Sequence, residues 1–390
     1  MKRFKQYQLK PLTGGAAATE AMRQINPDVF AAYPITPQTP IIESFAQLVA
    51  DKRVDTKFIL VESEHSAMSI VVGASAAGGR AMTATASQGL ILMAEVLLVA
   101  SGSRLPTVMN IATRALSAPI NIHNDHQDAM AVRDLGWIQI FCENNQEVYE
   151  TNFLAIRLSE HLQVQLPVMV CQDGFITSHN TEGVEVYSDK VIRKFLGEYK
   201  PKYPLLNLKK PVTIGPLALP DYYFEIRAQL DRAMKQAKKR YLEIGRELKK
   251  ITGNDYPYFE KYHLDNAQAV IVTMGSTAGT SKVVVDKLRK QGKKVGLLKI
   301  NLFRPFPYQE VNKVLSKIKY VGILERAMGF GSYSPLASEI RHCVSFKQKV
   351  QDYTFGLGGR DIGPEEIEKA FKQLLKGQVS DQIKYIGLRT

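Results

Sequence analysis

Residues 29–179 alternate short apolar runs with longer segments of helical spacing, and this alternation limits the chain to few folds. The runs VFAAY, KFILVE, AMTATA, LPTVMNIA, WIQIFC and LPVMVCQ are predicted as strands. Each is apolar along its length rather than at every second residue, and helical segments separate them. Strands of this kind belong to a parallel sheet that is covered on both faces. The pattern therefore predicts a doubly wound α/β domain.

A second and shorter alternation begins at Ala267. AVIVTMG, KVGLLKI and YVGILE are predicted as strands, GTSKVVVDKLRKQG and EVNKVLSKI as helices, and FRPFP as a turn. The C-terminal part of the chain is thus predicted to be a smaller parallel-sheet α/β domain. A length of 390 residues fits two or three domains of roughly 150 residues each.

The segment between the two alternations is basic. It begins with prolines and continues as a charged helical pattern in which one apolar stripe runs from Tyr223 to Leu248. Residues 190–263 hold 17 basic and 8 acidic side chains, which is +9 of the net charge of +13. The stripe indicates a helix packed on a neighbouring domain or subunit. Nucleic-acid binding is the alternative, but no helix-turn-helix, zinc or RNA-binding signature supports it.

Several classes of protein are excluded by what the sequence lacks. No apolar run reaches the roughly 18 residues of a membrane-spanning helix, and no apolar segment follows the basic N-terminus as in a secretory signal. Cys142, Cys171 and Cys343 are too far apart to form a disulfide framework or a C-x-x-C ligand pair. We therefore expect a cytoplasmic protein whose own chain ligates no metal and no iron–sulfur cluster.

Polar residues follow the predicted strands, where ligands of doubly wound sheets bind. Thr36 lies in Tyr33–Pro40 and Glu64 in Val61–Ser66. Taken alone, Thr36 or Thr39 is explained as well by capping of the helix near Ile41. Glu64 is explained as well as a surface glutamate that favours a helix N-terminus.

The next two strand ends carry different residue types. Thr83–Leu90 is rich in small residues that permit close approach of the backbone, without the spacing of a phosphate-binding loop. Arg114 follows LPTVMNIA and suits two-point recognition of a carboxylate, although a surface salt bridge explains it equally well. Hydrolysis is not indicated, because the chain has no Ser-His-Asp order and no G-x-S-x-G motif.

Three further polar segments favour structural roles. Asn124–Asp128, with Arg133 and Asp134 beyond it, fits no metal spacing and predicts a polar loop network. Gly275–Thr280 predicts a turn from strand to helix. Gly356–Asp361 predicts a turn at a domain or subunit contact.

The amino-acid sequences of these segments, and the order in which they occur, resemble those of one protein family. AAYPITPQTP, VESEHSAMS, TATASQGLILMAE, RLPTVMNIATRALSAPINI, RDLGWIQIFCENNQEVYE and DGFITSH are similar to the alpha subunit of 2-oxoacid:ferredoxin oxidoreductases. The pyruvate:ferredoxin oxidoreductases, or pyruvate synthases, are the most similar branch. LRKQGKKVGLLKINLFRPFP, GLGGRDI and YIGLR extend the likeness over nearly the whole chain.

The resemblance implies a thiamine diphosphate enzyme divided among several subunits. Residues 1–189 would form the domain that binds the cofactor's aminopyrimidine, 190–262 a basic connecting segment with a long amphipathic helix, and 263–390 a domain like the transketolase C-terminal domain. A beta subunit would bind the diphosphate and magnesium, since this chain lacks the G-D-G motif and Gln172 precedes Asp173-Gly174. Beta and delta subunits would hold the [4Fe-4S] clusters, and a gamma subunit would handle coenzyme A.

The resemblance also implies roles for three residues. Glu64 matches the glutamate that bonds the aminopyrimidine ring and assists proton transfer. Thr36 and Arg114 match the threonine and the arginine that bind the 2-oxoacid. The implied reaction converts pyruvate and coenzyme A reversibly into acetyl-CoA and carbon dioxide, with ferredoxin as electron acceptor. A sister enzyme for branched-chain 2-oxoacids or 2-oxoglutarate is the alternative.

Overall fold

The computed structural model describes residues 7–389. The strands are β1 (Tyr7–Thr13), β2 (Val29–Ala32), β3 (Lys57–Leu60), β4 (Ala81–Thr85), β5 (Thr107–Thr113), β6 (Ile138–Phe141), β7 (Val168–Asp173), β8 (Thr181–Tyr187), β9 (Phe259–Tyr262), β10 (Ala269–Thr273), β11 (Val295–Ile300), β12 (Leu302–Arg304), β13 (Tyr320–Glu325), β14 (Lys349–Phe355) and β15 (Lys384–Ile386).

The helices are α1 (Gly14–Ile25), α2 (Thr39–Ala50), α3 (Glu64–Ala77), α4 (Ser87–Leu92), α5 (Ala94–Gly102), α6 (Gln127–Ala131), α7 (Asn145–Glu160), α8 (Ile176–His179), α9 (Asp189–Leu196), α10 (Pro220–Thr252), α11 (Thr277–Lys290), α12 (Tyr308–Leu315), α13 (Pro335–Cys343) and α14 (Pro364–Leu375). Within residues 7–389, no helix combines the length and the apolar composition that crossing a membrane requires.

The first sheet has the order β12-β6-β7-β5-β4-β2-β3, and its six strands from β2 to β7 are parallel. All six predicted strands of the N-terminal alternation are present. All residues of β4, β5, β6 and β7 are buried because helices cover both faces, whereas those of the edge strand β3 are partly or fully exposed. Phe30, Val108 and Ile138 are fully buried in the core. The predicted doubly wound α/β domain is confirmed.

The second sheet has the order β15-β14-β13-β10-β11-β9 and is parallel except for β9, which runs antiparallel to β11. One prediction for this part of the chain was wrong. FRPFP was predicted to be a turn, but Leu302–Arg304 forms β12, which pairs antiparallel with β6 at the edge of the first sheet. Leu302 and Phe303 are fully buried there. The pairing satisfies backbone groups of β6 that would otherwise be exposed at the sheet edge.

The predicted amphipathic helix is α10. It begins with Pro220 and is capped at its C-terminus by Gly253, whose φ of +84° suits glycine. In its C-terminal half the stripe is buried, as at Ala237 and Leu248, and the helix packs against α7 and α5. At its N-terminal end the stripe is not covered by this chain, and Tyr223 is 55% exposed.

Buried polar contacts connect the two α/β parts. His126 Nε2 lies 2.8 Å from Asp173 Oδ1, and Ser276 of the second part donates from Oγ to Asp173 Oδ2 at 2.6 Å. Lys299 of β11 is also buried and donates from Nζ to Glu143 Oε2 at 2.7 Å. Burial alone would raise the pKa of Asp173, but the charges of His126 and Arg326 and the hydrogen bonds of His126 and Ser276 outweigh it and lower the pKa to about 2.

This lowered pKa predicts an acid-dependent loss of stability. Because the folded pKa lies below the ordinary value of 3.8, Asp173 stabilises the fold above pH 4, and the stabilisation is lost as pH falls toward 2. A shift of that size corresponds to about 2 kcal/mol. We expect Asp173→Asn to lower the free energy of unfolding at pH 7 and to flatten its change between pH 4 and pH 2, as measured by denaturant titration. An unchanged pH dependence would contradict the assignment.

Candidate functional site

The site is built from loops at the carboxyl ends of the parallel strands of the first sheet. Arg114 directly follows β5, and its side chain is buried. Its Nε donates to the carbonyl oxygen of Asn121 at 2.9 Å, and its Nη1 donates to the carbonyl oxygen of Thr36 at 2.9 Å. Within residues 7–389 its Nη2 has no hydrogen-bond partner. The surface alternative for Arg114 is therefore wrong, and one end of a planar, fixed cation remains available to a ligand.

The hydrogen bond from Arg114 Nη1 brings the backbone of Thr36 into contact with Arg114. The Thr36 side chain is exposed, and its hydroxyl has no partner in the described part of the chain. The capping alternative is wrong, because Gln38 occupies the cap position of α2 and no side chain bonds the first amides there. Pro37 lies close to Gly174 at the end of β7, where a Cβ would come within 2.8 Å of the Pro37 ring. Glycine at 174 thus lets the Thr36 loop approach the sheet.

Glu64 is the first residue of α3. Ser63 caps this helix by accepting a hydrogen bond from the Ser66 amide at 3.2 Å. Only 6% of Glu64 is exposed, so the alternative of a surface glutamate is wrong. Burial raises the pKa of Glu64, and a hydrogen bond with its own backbone acts in the opposite direction. A carboxyl group with a raised pKa holds a proton more readily and can share it with a ring nitrogen.

Gly89 of α4 lies directly beside the Glu64 carboxyl. A Cβ at Gly89 would stand 2.5 Å from Glu64 Oε1 and 2.6 Å from Thr85 Oγ1, so only glycine permits this close polar cradle. The hydroxyl of Thr85 is buried without a partner. A buried carboxyl and an unpaired hydroxyl side by side fit a polar ligand group that offers a ring nitrogen.

Asp128 is a functional candidate that the sequence analysis did not single out. It was assigned to a polar loop network, which the structure confirms. Asp128 is fully buried in α6, and its Oδ2 accepts hydrogen bonds from the amides of Ser87 at 2.8 Å and Arg114 at 3.0 Å. Burial raises the pKa of Asp128 to about 7. The only sequence signal was the apolar run AMAV that follows this aspartate.

The glycine-rich turn predicted at Gly356–Asp361 also contacts this region. Gly359 donates its amide to the carbonyl oxygen of Asn124 at 2.7 Å, and Gly358 donates to Asp125 Oδ2 at 3.1 Å. Asn121 Nδ2 donates to the Gly358 carbonyl oxygen at 3.0 Å. The prediction of a turn at a domain contact is confirmed. The turn supports Asn121, whose carbonyl group holds Arg114.

The remaining predicted segments lie outside the site. Gly275–Thr280 is the turn from β10 into α11, as predicted. The three cysteines are buried and unpaired. Among residues 7–389, no group of three or more His, Cys, Asp or Glu side chains is arranged to hold a metal ion.

Two family models match the chain. Residues 20–246 match the model described as pyruvate flavodoxin/ferredoxin oxidoreductase, thiamine diphosphate-binding. Residues 267–367 match pyruvate:ferredoxin oxidoreductase core domain II.

Curated relatives match over nearly the full length. Pyruvate synthase subunit PorA of Thermotoga maritima is 53% identical, with 97% of each chain covered. The subunit of the same name from Methanocaldococcus jannaschii is 46% identical, with 98% of each covered. Ketoisovalerate oxidoreductase subunit VorA of Pyrococcus abyssi is 39% identical, covering 97% of this chain and 98% of the relative.

A solved structure shares the fold. The 2-oxoglutarate:ferredoxin oxidoreductase of Magnetococcus marinus, with 2-oxoglutarate, coenzyme A and succinyl-CoA bound, superposes with a TM-score of 0.75 at 20% identity. The match covers 94% of this chain and 65% of that one.

Proposed function

The chain belongs to the pyruvate:ferredoxin oxidoreductase family, and from this premise we propose that it is the alpha subunit of a multi-subunit, thiamine diphosphate-dependent pyruvate synthase. The complex converts pyruvate and coenzyme A into acetyl-CoA and carbon dioxide, transfers two electrons to ferredoxin, and also runs in reverse. The observation that carries this proposal is the direct contact between Arg114 and Thr36 at the strand ends of a thiamine diphosphate-binding domain.

Pyruvate is the 2-oxoacid that the comparisons favour. The PorA relatives are 53% and 46% identical to this chain, and the VorA relative is 39% identical. Enzymes for branched-chain 2-oxoacids or 2-oxoglutarate remain the alternatives, because in a site shared between subunits the neighbouring chains would also contact the substrate side chain.

Glu64 is proposed to bind the cofactor. Thiamine diphosphate, when bound, supplies the carbon nucleophile and the electron sink of the reaction. The Glu64 carboxyl would hydrogen-bond the aminopyrimidine nitrogen N1′, and glycine at position 89 lets this carboxyl lie against α4. Burial holds the Glu64 pKa above its ordinary value, which allows the carboxyl to hold or release a proton at N1′.

Arg114 and Thr36 are proposed to bind the substrate. The free Nη2 of Arg114 would pair with the pyruvate carboxylate, because its Nε and Nη1 are already fixed by carbonyl oxygens. The unpaired hydroxyl of Thr36 would donate to the 2-oxoacid. The two residues therefore orient the oxo carbon toward the cofactor.

The remaining parts of the enzyme are assigned to other chains. We place the diphosphate and magnesium site on the beta subunit, the [4Fe-4S] clusters on the beta and delta subunits, and coenzyme A handling on the gamma subunit, all in the cytoplasm. Within this chain, residues 1–189 would bind the aminopyrimidine, 190–262 connect, and 263–390 form the transketolase C-terminal-like domain. Half-exposed Leu92 and Val99 on α4 and α5 support contact with a partner subunit.

The substrate profile of the co-purified complex tests the proposed function. We expect ferredoxin reduction to be most efficient with pyruvate, and kcat/KM for 2-oxoisovalerate to be at least tenfold lower, the discrimination that added methyl groups produce in a small pocket. Equal or higher efficiency with 2-oxoisovalerate or 2-oxoglutarate would show a sister enzyme.

Gly89→Ala tests the cradle beside Glu64. The added methyl group would stand 2.5 Å from Glu64 Oε1, so we expect the complex to bind thiamine diphosphate about tenfold more weakly, as for overpacking of a filled site. The matched control is Gly73→Ala on α3, where a Cβ meets nothing within 4 Å. Equilibrium binding of the cofactor is the measurement. Equal affinities of the two variants would refute the assignment of this cradle.

A further inference from the structure

The contacts of Asp128 connect the substrate side of the site to the cofactor side. One oxygen, Oδ2, accepts both the Arg114 amide at the end of β5 and the Ser87 amide at the start of α4. The other oxygen, Oδ1, accepts the Ala129 amide at 2.7 Å. A fully buried carboxylate with three such bonds fixes three backbone positions at once.

Ser87 and Arg114 each lead to one of the proposed ligand contacts. Ser87 is the first residue of α4, the helix whose Gly89 borders Glu64, and it has a φ of +49°. Its hydroxyl also donates to the carbonyl oxygen of Ala115, so the start of α4 is tied to the segment after β5 by a second bond. Arg114 carries the guanidinium that contacts Thr36.

We propose that Asp128 is a positioning residue that fixes the Arg114 guanidinium and the start of α4 in one geometry, so that substrate and cofactor are aligned by a single buried carboxylate. This inference rests on the proposed roles of Arg114 and Glu64. Asp128 itself has no contact with the ligands, because its three acceptor bonds are made to backbone amides. Its removal should therefore weaken both ligands, unlike changes at Arg114 or Gly89.

The experiment compares Asp128→Ala and Asp128→Asn in the assembled complex. We expect Asp128→Ala to raise both the pyruvate KM and the thiamine diphosphate dissociation constant by about tenfold, the cost of removing a buried acceptor. The competitive inhibition constant of oxamate, an unreactive analogue with the same carboxylate, should rise in parallel with KM. Asp128→Asn keeps an acceptor oxygen and should recover most of both losses.

A matched control separates positioning from general stability. Glu150 is also a buried carboxylate of the first domain, and it accepts hydrogen bonds from Tyr256 and Asn254 in the segment between α10 and β9. We expect Glu150→Gln to lower Tm while leaving the pyruvate and cofactor constants within twofold. Asp128→Ala with an equal loss of Tm but unchanged constants would overturn the proposal.

A double-mutant cycle with Arg114 identifies the route of the effect. On an Arg114→Ala background, Asp128→Ala should raise the pyruvate KM less than threefold further, because the group it positions is already missing, while its effect on cofactor affinity should persist. If the double variant raises the pyruvate KM by the full product of the two single effects, the inference is overturned. If Arg114→Ala alone leaves the pyruvate KM unchanged, the proposed substrate role of Arg114 fails and the inference falls with it. If Arg114→Ala raises the pyruvate KM strongly but Asp128→Ala leaves it unchanged, the inference about Asp128 is refuted and the proposed role of Arg114 stands.

Discussion

Glu64→Gln is expected to lower pyruvate-dependent turnover of the assembled complex by on the order of 10²-fold or more, the usual contribution of a positioned proton-transfer group. Glutamine keeps the shape and the burial of Glu64, so the fold and the assembly should be retained. An amide, however, cannot hold and release a proton at the aminopyrimidine nitrogen. The loss should therefore appear in kcat at saturating pyruvate.

The neighbouring Glu62 provides the control for this variant. Glu62 lies two positions before Glu64, its side chain is solvent-exposed and it accepts a hydrogen bond from Ser66. Glu62→Gln should leave turnover within twofold of the unmodified complex. Steady-state ferredoxin reduction measures both variants. If Glu64→Gln retained more than a third of the turnover, Glu64 would have no part in proton transfer.

Arg114→Lys is expected to lower kcat/KM for pyruvate by on the order of 10- to 100-fold, although the charge is kept. The ammonium group of lysine cannot hold two carbonyl oxygens and a carboxylate at once in one plane. The size follows from the loss of a charged hydrogen bond, which costs about 1.5–3 kcal/mol. Thr36→Ala should cost less, because it removes one neutral donor.

Cofactor affinity is the internal control for both substrate variants. We expect Arg114→Lys and Thr36→Ala to bind thiamine diphosphate like the unmodified complex, because neither side chain touches the Gly89 cradle. Arg133→Lys, at a partly exposed arginine of the same polar loop region, should leave kcat/KM unchanged. A variant of Arg114 that lost the cofactor while its pyruvate KM stayed constant would assign this arginine to the cofactor or to the scaffold.

The strands were predictable because burial on both faces requires a continuous apolar run. β12 was not, because its partner β6 lies some 160 residues earlier in the chain, and the strands that flank β12 in the sequence belong to the second sheet. FRPFP contains two prolines, which favour a turn locally. The first residues of FRPFP form a strand only because they pair with the edge of the first sheet.

The site residues also divide into those that the sequence predicts and those that depend on distant contacts. The rule for strand ends selected the segments of Thr36, Glu64 and Arg114, but position alone left a structural explanation open for each, and the resemblance supplied their roles. Asp128 was not found, because its importance depends on burial and on amides 41 and 14 residues away. Such long-range contacts produce no regular residue spacing that could be recognised in the sequence. Gly89 was anticipated only as one of several small residues.

The exchange of the thiamine diphosphate C2 proton for deuterium, followed in the assembled complex without pyruvate, tests whether Glu64 activates the cofactor. This measurement isolates proton transfer at the cofactor from substrate binding and electron transfer. We expect Glu64→Gln to slow the exchange by on the order of 10²-fold, whereas Arg114→Lys should leave it unchanged. Exchange at the unmodified rate in Glu64→Gln, with the cofactor bound, would contradict the claim that this chain supplies the activating carboxylate.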